Sequence, residues 1–318
     1  MSVENLVSIL VPVFNREGII RQTLESALNQ THQNIEVIVV DNHSTDNTWE
    51  LVREISNTDS RVKCFRNDTN IGPVRNWLKC VEHAKGYYGK ILWSDDLIAP
   101  TFIEETLPML GNDVGFVFTN TKIFTDDINV GTSIYNIGPT GYYSVEDYIE
   151  GVIFSEDYPA SPGCALFRMS DIRRNLLEQI PNNIDSDFSM HAIGNDVLLF
   201  LLTCNDYKKF AYIQKELSYF RYHSESISVA SSSGKIPLHY KLAQAYYIEN
   251  YQREMINKLN SVLLFNLIKY RDARKFKMSS IKSFYVTNTI YRIDKVYFLR
   301  YITTRFKSGI RKILSKFI

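Results

Sequence analysis

The sequence predicts an α/β fold in which a doubly wound sheet is covered by helices on both faces. Short apolar segments rich in β-branched residues alternate, through the first third of the chain, with segments whose apolar residues recur every three or four positions. The connections between these segments are short and polar. Strands and helices that alternate in this way are typical of doubly wound sheets.

The first strand is predicted at residues 7–14, where nearly every residue is apolar, as in a parallel strand buried on both faces. A turn at residues 15–18 precedes a helix whose apolar residues, up to Leu28, lie at helical spacing. The order of strand, polar loop and helix then repeats. Further strands are predicted at residues 35–40, 62–65 and 91–96, with helices around residues 49–55 and 70–84.

The alternation is less regular after Pro100. Beyond Pro100 the sequence predicts a helix at 102–110 and a buried helix after Asp196. Strands are predicted at 115–119, 164–167 and 212–222, with a hairpin within 126–135. A loop rich in Gly, Pro and Ser is predicted at 155–163. We expect residues 1–235 to form one domain. Residues 236–318 are helical in pattern and predict a C-terminal helical extension.

The charges are divided between these two parts. The chain contains 36 Lys and Arg against 35 Asp and Glu, but residues 240–318 hold 17 of the former and 4 of the latter. From Leu299 onward, apolar residues recur at three- and four-residue steps and basic residues occupy the other faces, which is typical of a basic amphipathic helix at an anionic membrane surface. A helix that packs on the acidic first part is the alternative. Nucleic acid is not an expected partner, because the aromatic residues there follow helical spacing.

Several features predict the compartment. No apolar run approaches the roughly 18 residues needed to span a bilayer, and the first residues lack the basic region of a secretory signal. Cys64, Cys80, Cys164 and Cys204 have no paired spacing and are expected to be buried thiols of a reducing compartment. We therefore expect a cytoplasmic protein that is peripheral on the inner face of the cell membrane.

Polar residues follow four of the predicted strands at their carboxyl ends. Open α/β sheets bind ligands beyond these ends, so the loops there are expected to converge on one ligand. The residues concerned are Phe14 and Asn15, Asp41, Asn70 and Gly72, and Asp95 and Asp96.

Asp95 and Asp96 carry the most specific chemical prediction. Two adjacent carboxylates repel each other, so a site that keeps both ionised usually supplies a cation, and hard divalent cations take carboxylate oxygens. A metal–diphosphate site is therefore one interpretation. A turn, or the cap of the following helix, is the other.

The segments VSILVPVFN, IEVIVVDNHSTDNT, NIGPVRN and ILWSDDLIAP, in this order, resemble the family 2 glycosyltransferases. That resemblance is close over about residues 6–110 and thinner to about residue 230. It implies the GT-A fold, a Rossmann-like mixed sheet flanked by helices. It also implies that Pro12, Phe14 and Asn15 lie beside a nucleotide, that Asp41 binds its base, and that Asn70, Gly72 and Arg75 border its pocket.

The resemblance places Asp95 and Asp96 at the family's D-x-D-D metal motif, with Trp93 in place of the first acid. Asp95 is then the expected ligand of Mn²⁺ or Mg²⁺, and Asp96 a neighbour of ribose, sugar or metal. Asn195-Asp196 is similar to a Glu-Asp pair of the family whose aspartate acts as the base. Asn195 replaces the Glu, so the resemblance implies a role for Asp196 alone, as the base. FRYHSESIS resembles a family motif that implies Arg221 and His223 near the diphosphate.

The implied reaction transfers a sugar, with inversion, from a nucleoside-diphosphate sugar to an acceptor hydroxyl. A UDP-sugar is the expected donor, with dTDP- and GDP-sugars as alternatives. The expected acceptor is a saccharide linked to polyprenyl diphosphate, as in O-antigen or capsule synthesis. A catalytically silent, membrane-attached nucleotide-sugar-binding module and a sugar nucleotidyltransferase are the competing hypotheses, although the latter would need a glycine-rich loop that PVFNREG does not supply.

Overall fold

The computed structural model describes residues 5–155, 158–223, 234–287 and 292–314, with side chains described up to residue 305. The chain divides into two compact units. The first unit comprises Met1–Gln179 and Asp187–Ala230, and the second comprises Ile180–Ser186 and Ser231–Ile318. The expected division at residue 235 assigned the short segment Ile180–Ser186 to the first domain, whereas this segment belongs to the second unit.

The first unit is built on a sheet in which ten strands are described. Their order across the sheet is β3-β2-β1-β4-β9-β6-β10-β5, with β7 paired to β6 and β8 paired to β10. The strands are β1 (Val7–Val13), β2 (Ile35–Asp41), β3 (Val62–Arg66), β4 (Tyr88–Ile91), β5 (Leu97–Ile98), β6 (Val114–Phe124), β7 (Gly131–Ile134), β8 (Gly141–Ser144), β9 (Ala165–Arg168) and β10 (Lys209–Arg221).

Helices flank this sheet. They are α1 (Ile20–Leu28), α2 (Thr48–Thr58), α3 (Pro73–His83), α4 (Phe102–Thr106), α5 (Val145–Glu150), α6 (Met169–Asn175), α7 (Phe188–His191) and α8 (Asn195–Thr203). Strands β1 to β4 run parallel, whereas β9 is antiparallel to both of its neighbours, β4 and β6. The prediction of a mixed α/β sheet flanked by helices is confirmed.

Strand β1 lies between β2 and β4, and all seven of its residues are buried. Its β-branched and aliphatic side chains suit a strand covered on both faces. Pro12 is tolerated in this central strand because the pairing of β1 with β4 ends at Leu10 and Ile91, so its missing N–H removes no bond from that ladder. On the other side, Val13 is in register with Asp41.

The strand predicted at residues 91–96 is displaced. Strand β4 ends at Ile91, and the chain turns directly afterwards, with the N–H of Asp96 donating to the carbonyl of Trp93 at 3.1 Å. Leu92 continues from β4, with its N–H donating to the carbonyl of Leu10 at 2.9 Å, and Trp93 begins the turn that carries the two aspartates. This shift leaves Asp95 and Asp96 at the carboxyl end of β4, as expected.

The second unit is helical where it is described. Its longer helices are α9 (Lys235–Tyr251), α10 (Ile256–Lys269) and α11 (Lys295–Leu314). Helix α11 packs on α10, with the ring centroids of Tyr301 and Phe265 5.4 Å apart. Within this unit Asn183 donates to the carbonyls of Tyr285 and Val286. Across the described ranges, no helix is at once long enough and apolar enough to cross a membrane.

Candidate active site

Loops at the carboxyl ends of β1, β2 and β4 meet at one edge of the sheet. The N–H of Asn15 donates to Oγ of Ser44 at 2.9 Å, and the side-chain oxygen of Asn15 accepts from the N–H of Thr45 at 2.9 Å. The next residue, Arg16, reaches the third loop, where its Nη2 lies 4.0 Å from Oδ2 of Asp95. The sequence did not single out Arg16, although it directly follows Asn15.

Asp41 ends β2 with its side chain fully buried. The carboxylate accepts from the N–H and the hydroxyl of Ser44, and its Oδ2 lies 3.1 Å from Nε of Arg66. Asp41 does not cap helix α2, because Asp46 accepts from the N–H of Thr48 at the start of that helix. Asp41 therefore fixes the loop at the edge of the sheet, and its contact with a base stays a prediction.

Side-chain amides tie the end of β2 to the loop after β3. Nδ2 of Asn42 donates to Oδ1 of Asn70 at 2.9 Å, and Oδ1 of Asn42 accepts from the N–H of Ile71 at 3.0 Å. Asn70 also accepts from the N–H of Gly72, which has a φ of 86°. A Cβ at Gly72 would lie 2.6 Å from Sδ of Met190, so this position requires glycine for its backbone and for the close approach.

Arg75 lies on the first turn of α3, at the rim of these loops. Its Nε donates to the carboxylate of Glu178 at 2.8 Å, and its Nη1 donates to the carbonyl of Ile71 at 3.3 Å. The side chain is partly exposed. Arg75 is therefore at the border of the site, and Phe14, which is also exposed, follows β1 at the same edge of the sheet.

Asp95 is in direct contact with His223, whose Nε2 lies 2.8 Å from Oδ2 of Asp95. The side chain of Arg221 holds the two segments together. Its Nε donates to the carbonyl of Asp95 at 3.0 Å, its Nη2 donates to Gln22 at 2.7 Å, and its guanidinium lies 4.6 Å from the ring centroid of Phe124. The end of β10 is thereby fastened to the loop after β4.

Asp96 is buried beside this contact. Burial raises the pKa of its carboxyl group well above the usual value, and the charge of Asp95 raises it further. The N–H of Arg221, which donates to Oδ1 of Asp96 at 2.9 Å, and the charge of Lys90 oppose this rise. Lys90 is fully buried in β4, and burial lowers its pKa to about 8 despite the opposing effects of Cys164 and Asp96. The structure thus places a buried cation near Asp96.

Trp93 takes part in packing where the family motif has an acid. Its indole N–H donates to Oγ of Ser161 at 2.9 Å, and a Cβ at Gly163 would lie 3.0 Å from the indole ring. The carbonyl of Gly163 also accepts from Nζ of Lys90. The side chains of Lys90 and Trp93 therefore hold the end of the predicted loop at 155–163, of which residues 156 and 157 lie outside the described residues.

Asp196 is the second residue of α8, and its side chain is buried. Its Oδ1 accepts from the N–H of Val197 at 2.8 Å and from the N–H of Gly194 at 3.1 Å. These two N–H groups fix the orientation of the carboxylate at the N-terminus of α8. Burial raises the pKa of the Tyr135 hydroxyl above its usual value, and the charges of Cys164, Asp196 and Asp96 raise it further.

A cleft of about 480 Å³ opens beside Asp95. Its lining includes two arginines, a histidine and two acidic residues, and the arginines suit an anionic ligand such as a diphosphate. The lining residues are Asn15, Arg16, Glu17, Gly18, Ile19, Asp46, Arg221 and His223.

Asp95 and His223 are the side chains best placed to hold a divalent cation. Within the described residues, no group of three or more His, Cys, Asp or Glu has metal-ligand geometry. Nucleotide-bound Mg²⁺ commonly takes one or two protein carboxylates and completes its coordination with phosphate oxygens and water. One carboxylate and one imidazole beside an anion-binding cleft fit that arrangement and suit Mn²⁺ equally. Asp96 is the poorer donor because it is buried and already accepts from Arg221.

The sequence model of "Glycosyl transferase family 2" matches residues 8–176. The chain belongs to glycosyl transferase family 2. Relatives from Escherichia coli, Bacillus subtilis and Haemophilus influenzae illustrate the similarity.

 The relative WfaP from Escherichia coli, described as a UDP-Glc:alpha-D-GlcNAc-diphosphoundecaprenol beta-1,3-glucosyltransferase, is 36% identical over 127 residues, which are 40% of this chain and 50% of that protein. The putative glycosyltransferase EpsH from Bacillus subtilis is 30% identical over 233 residues, 70% of this chain and 62% of that protein.

An uncharacterized glycosyltransferase from Haemophilus influenzae is 43% identical over 136 residues, which are 37% of this chain and 54% of that protein. The matches to these three relatives therefore span between 50% and 62% of their lengths. A solved structure of S. aureus TarS in complex with UDP-GlcNAc matches 86% of this chain and 75% of the TarS chain, with a TM-score of 0.62 and 18% identity. This likeness shows that the family 2 chain has the GT-A fold.

The sequence did not single out some residues that lie at or beside this candidate site. Lys90 could have been identified from the sequence, because it is the single charged residue in an otherwise uncharged segment that leads into the two aspartates. Asn42 could also have been identified, because it directly follows Asp41.

Proposed function

We propose that this chain transfers a sugar from a UDP-sugar to a hydroxyl of a saccharide acceptor, with inversion at the anomeric carbon. The contact between Asp95 and His223, beside a cleft lined by Arg16 and Arg221, carries this proposal. It provides donors for a cation and positive charge for a diphosphate at the same edge of the sheet. The family to which the chain belongs supports the same reaction.

The diphosphate side of the proposed reaction depends on fixed positive charge. A departing diphosphate gains negative charge as its bond to the sugar breaks, and preorganised cations stabilise that charge most effectively. Arg221 is held by Asp95 and Gln22, so its position does not have to be established during the reaction. A divalent cation held by Asp95 and His223 would supply Lewis-acid stabilisation of the same leaving group.

The acceptor side depends on Asp196. In an inverting displacement the acceptor hydroxyl attacks from the face opposite the leaving group, and a carboxylate there can accept its proton. The N–H groups of Gly194 and Val197 hold Oδ1 of Asp196. We assign Asp196 as the general base, with its carboxylate oriented by these two bonds.

The nucleotide is proposed to lie along the loops after β1, β2 and β3. Pro12, Phe14 and Asn15 would border it on one side, and Asn70, Gly72 and Arg75 on the other. Asp41 would accept a hydrogen bond from the base. UDP is the proposed nucleotide because the relative WfaP is described as using UDP-Glc and the TarS structure contains UDP-GlcNAc.

The proposed acceptor is a saccharide linked to polyprenyl diphosphate, in O-antigen or capsule synthesis. The description of WfaP includes a GlcNAc-diphosphoundecaprenol acceptor, which supports this choice. Such an acceptor is anchored in a membrane, so an enzyme that uses it must work at the membrane surface.

We also propose that α11 binds the anionic inner face of the cell membrane. Val296 and Leu299 on this helix are 63% and 66% exposed, and the sequence of the helix is rich in Lys and Arg. Anionic lipids attract such basic residues by about 1 kcal/mol each near the surface. Tyr301, by contrast, is buried within the second unit, so α11 has both a packed face and an exposed apolar face.

A transfer assay tests the proposed function. The full chain is incubated with Mn²⁺, a panel of UDP-, dTDP- and GDP-sugars, and GlcNAc-diphosphate-lipid acceptors, and both the nucleoside diphosphate and the extended lipid are measured. We expect UDP release that matches acceptor extension, with an inverted linkage in the product. Tight binding of nucleotide sugars without turnover would favour a silent binding module, and formation of a nucleotide sugar from sugar phosphate and UTP would favour a nucleotidyltransferase. Either result would contradict the proposal.

A further inference from the structure

Asn195 is the first residue of α8 and directly precedes the proposed base, Asp196. Its side chain is fully buried. Its Nδ2 donates to the carbonyl of Leu177 at 2.8 Å and to the carbonyl of Glu178 at 3.1 Å. Two carbonyl oxygens can be bonded in this way only by a donor, so the geometry fixes which end of the amide faces them. The start of α8 is thereby attached to the backbone of residues 177 and 178.

The other end of the same amide makes no such contact. Oδ1 of Asn195 is buried and has no hydrogen-bond partner among the described residues. An unpaired buried acceptor is unfavourable, because it loses its bonds to water and gains none in return. The side chain therefore contributes through its donor end. In the family pair that Asn195-Asp196 resembles, this position is Glu, which when ionised accepts hydrogen bonds and donates none.

The segment that Asn195 holds also reaches the side of the site assigned to the nucleotide. The carboxylate of Glu178 accepts from Nε of Arg75 at 2.8 Å, and Nη1 of Arg75 donates to the carbonyl of Ile71 at 3.3 Å. The backbone of Glu178 is thus bonded to α8, and its side chain is bonded to the rim of the proposed nucleotide pocket. This residue connects the helix that carries Asp196 to that rim.

The opposite end of α8 has a separate attachment. Nδ2 of Asn175, a buried residue at the end of α6, donates to Oγ1 of Thr203 at 3.0 Å. Thr203 is the last residue of α8 and lies about 10 Å along the helix axis from Asp196. Buried asparagine amides therefore hold α8 at both ends, and the one at the N-terminal end directly precedes Asp196.

We propose that Asn195 is a positioning residue for the general base. This inference rests on the proposed function, in which Asp196 accepts the proton of the acceptor hydroxyl. The bonds from Asn195 to Leu177 and Glu178 hold the start of α8, and with it the carboxylate of Asp196, at a fixed distance from the nucleotide rim. Displacement of a reacting group by about 1 Å costs about 10²-fold in rate. An amide makes both bonds, whereas an ionised carboxylate makes neither.

Asn195→Asp tests this inference, because it keeps the shape of the side chain and replaces the donor with an acceptor. Asn195→Ala removes both bonds without adding a charge, so it serves if the buried carboxylate prevents folding. We expect kcat for transfer to fall by about tenfold to hundredfold. The Kd for UDP in the presence of Mn²⁺ should be unchanged, because the diphosphate is assigned to Asp95, His223 and Arg221.

Asn175→Ala is the matched control, since it removes a buried amide bond from the other end of the same helix. It should lower the melting temperature about as much as Asn195→Ala does, and it should leave kcat unchanged. An equal loss of kcat in Asn175→Ala and Asn195→Ala would show that both act through the stability of α8 alone. That result would overturn the inference.

The Asp196→Asn background separates positioning from a general structural effect. A residue that acts through the carboxylate of Asp196 has no such effect once that carboxylate is removed. Adding Asn195→Ala to Asp196→Asn should therefore cause no further loss of kcat. A further loss of about tenfold in the double variant, equal to the loss that Asn195→Ala causes alone, would contradict positioning of Asp196 by Asn195.

The outcomes also separate this inference from the proposed function. If the wild-type chain transfers sugar and the Asn195 variants have the wild-type kcat, the inference is wrong and the proposed function stands. If the wild-type chain transfers sugar from none of the donors, the proposed function fails and this inference fails with it. A fall in kcat that requires Asp196, with an unchanged Kd for UDP, supports both.

Discussion

His223 Nε2 lies 2.8 Å from Oδ2 of Asp95, although 128 positions separate the two residues in the chain. The contact joins the end of β10 to the turn after β4, and Arg221 reinforces it through the carbonyl of Asp95. An oxygen donor and a nitrogen donor are thus brought together beside a cleft lined by arginines. The first prediction concerns this pair.

Asp95→Asn and His223→Gln should each weaken the effect of Mn²⁺ on UDP binding by about tenfold or more, because each removes one proposed donor to the cation. Calorimetric titration of UDP with and without Mn²⁺ measures this effect. Asp113→Asn is the control, since Asp113 is an exposed carboxylate paired with Lys209. An unchanged Mn²⁺ effect in both site variants would count against metal binding by this pair.

Lys90→Met should change the pH dependence of stability. The pKa of Lys90 is lowered from 10.5 to about 8 in the folded chain, so between these values the unfolded state binds more protons than the native state. The contribution of Lys90 to the free energy of unfolding therefore rises with pH across this window, and the penalty for its buried charge is fully present below about pH 8. The stability of the wild type relative to Lys90→Met should increase from neutral pH to about pH 10.

Urea denaturation of the wild type and of Lys90→Met, at neutral pH and at about pH 10, measures the difference in their free energies of unfolding. Lys63→Met is the control, because Lys63 is an exposed lysine of β3 whose loss should shift stability equally at both pH values. A difference between wild type and Lys90→Met that does not change with pH would show that Lys90 is not a desolvated lysine in the native state.

Replacement of both Val296 and Leu299 by Asp should reduce binding to vesicles that contain phosphatidylglycerol, because it places charge on the exposed apolar face of α11. Deletion of residues 296–318 should reduce it further, and added salt should weaken the binding of the wild type. Ile268→Asp is the control, since Ile268 is equally exposed, at 63%, on α10. Equal sedimentation of the wild type and the deletion variant with these vesicles would contradict membrane binding by α11.

The sequence was sufficient to predict most of the fold, because strands buried on both faces leave continuous apolar, β-branched segments. It was less informative where a turn is itself apolar. Leu92 and Trp93 have the composition of a strand, yet β4 ends before them and the turn begins at Trp93. Their conformation depends on the bond from the N–H of Asp96 to Trp93, and composition does not reveal such a bond.

The candidate site was predictable to the extent that its residues follow strands. Asp95 and Asp41 could be placed in this way, because the carboxyl ends of parallel strands meet at one edge. The partners of these residues could not be predicted from the sequence, because the contacts of Asp41 with Arg66 and of Asp95 with His223 join distant parts of the chain.

Asp196→Asn tests the central assignment most directly. The asparagine retains the shape of the side chain but cannot accept the proton of the acceptor hydroxyl, so kcat for transfer should fall by about 10²–10⁴-fold. The Kd for UDP in the presence of Mn²⁺ should remain that of the wild type, because the diphosphate is assigned to Asp95, His223 and Arg221. A variant that binds UDP normally and transfers sugar at the wild-type rate would contradict the account.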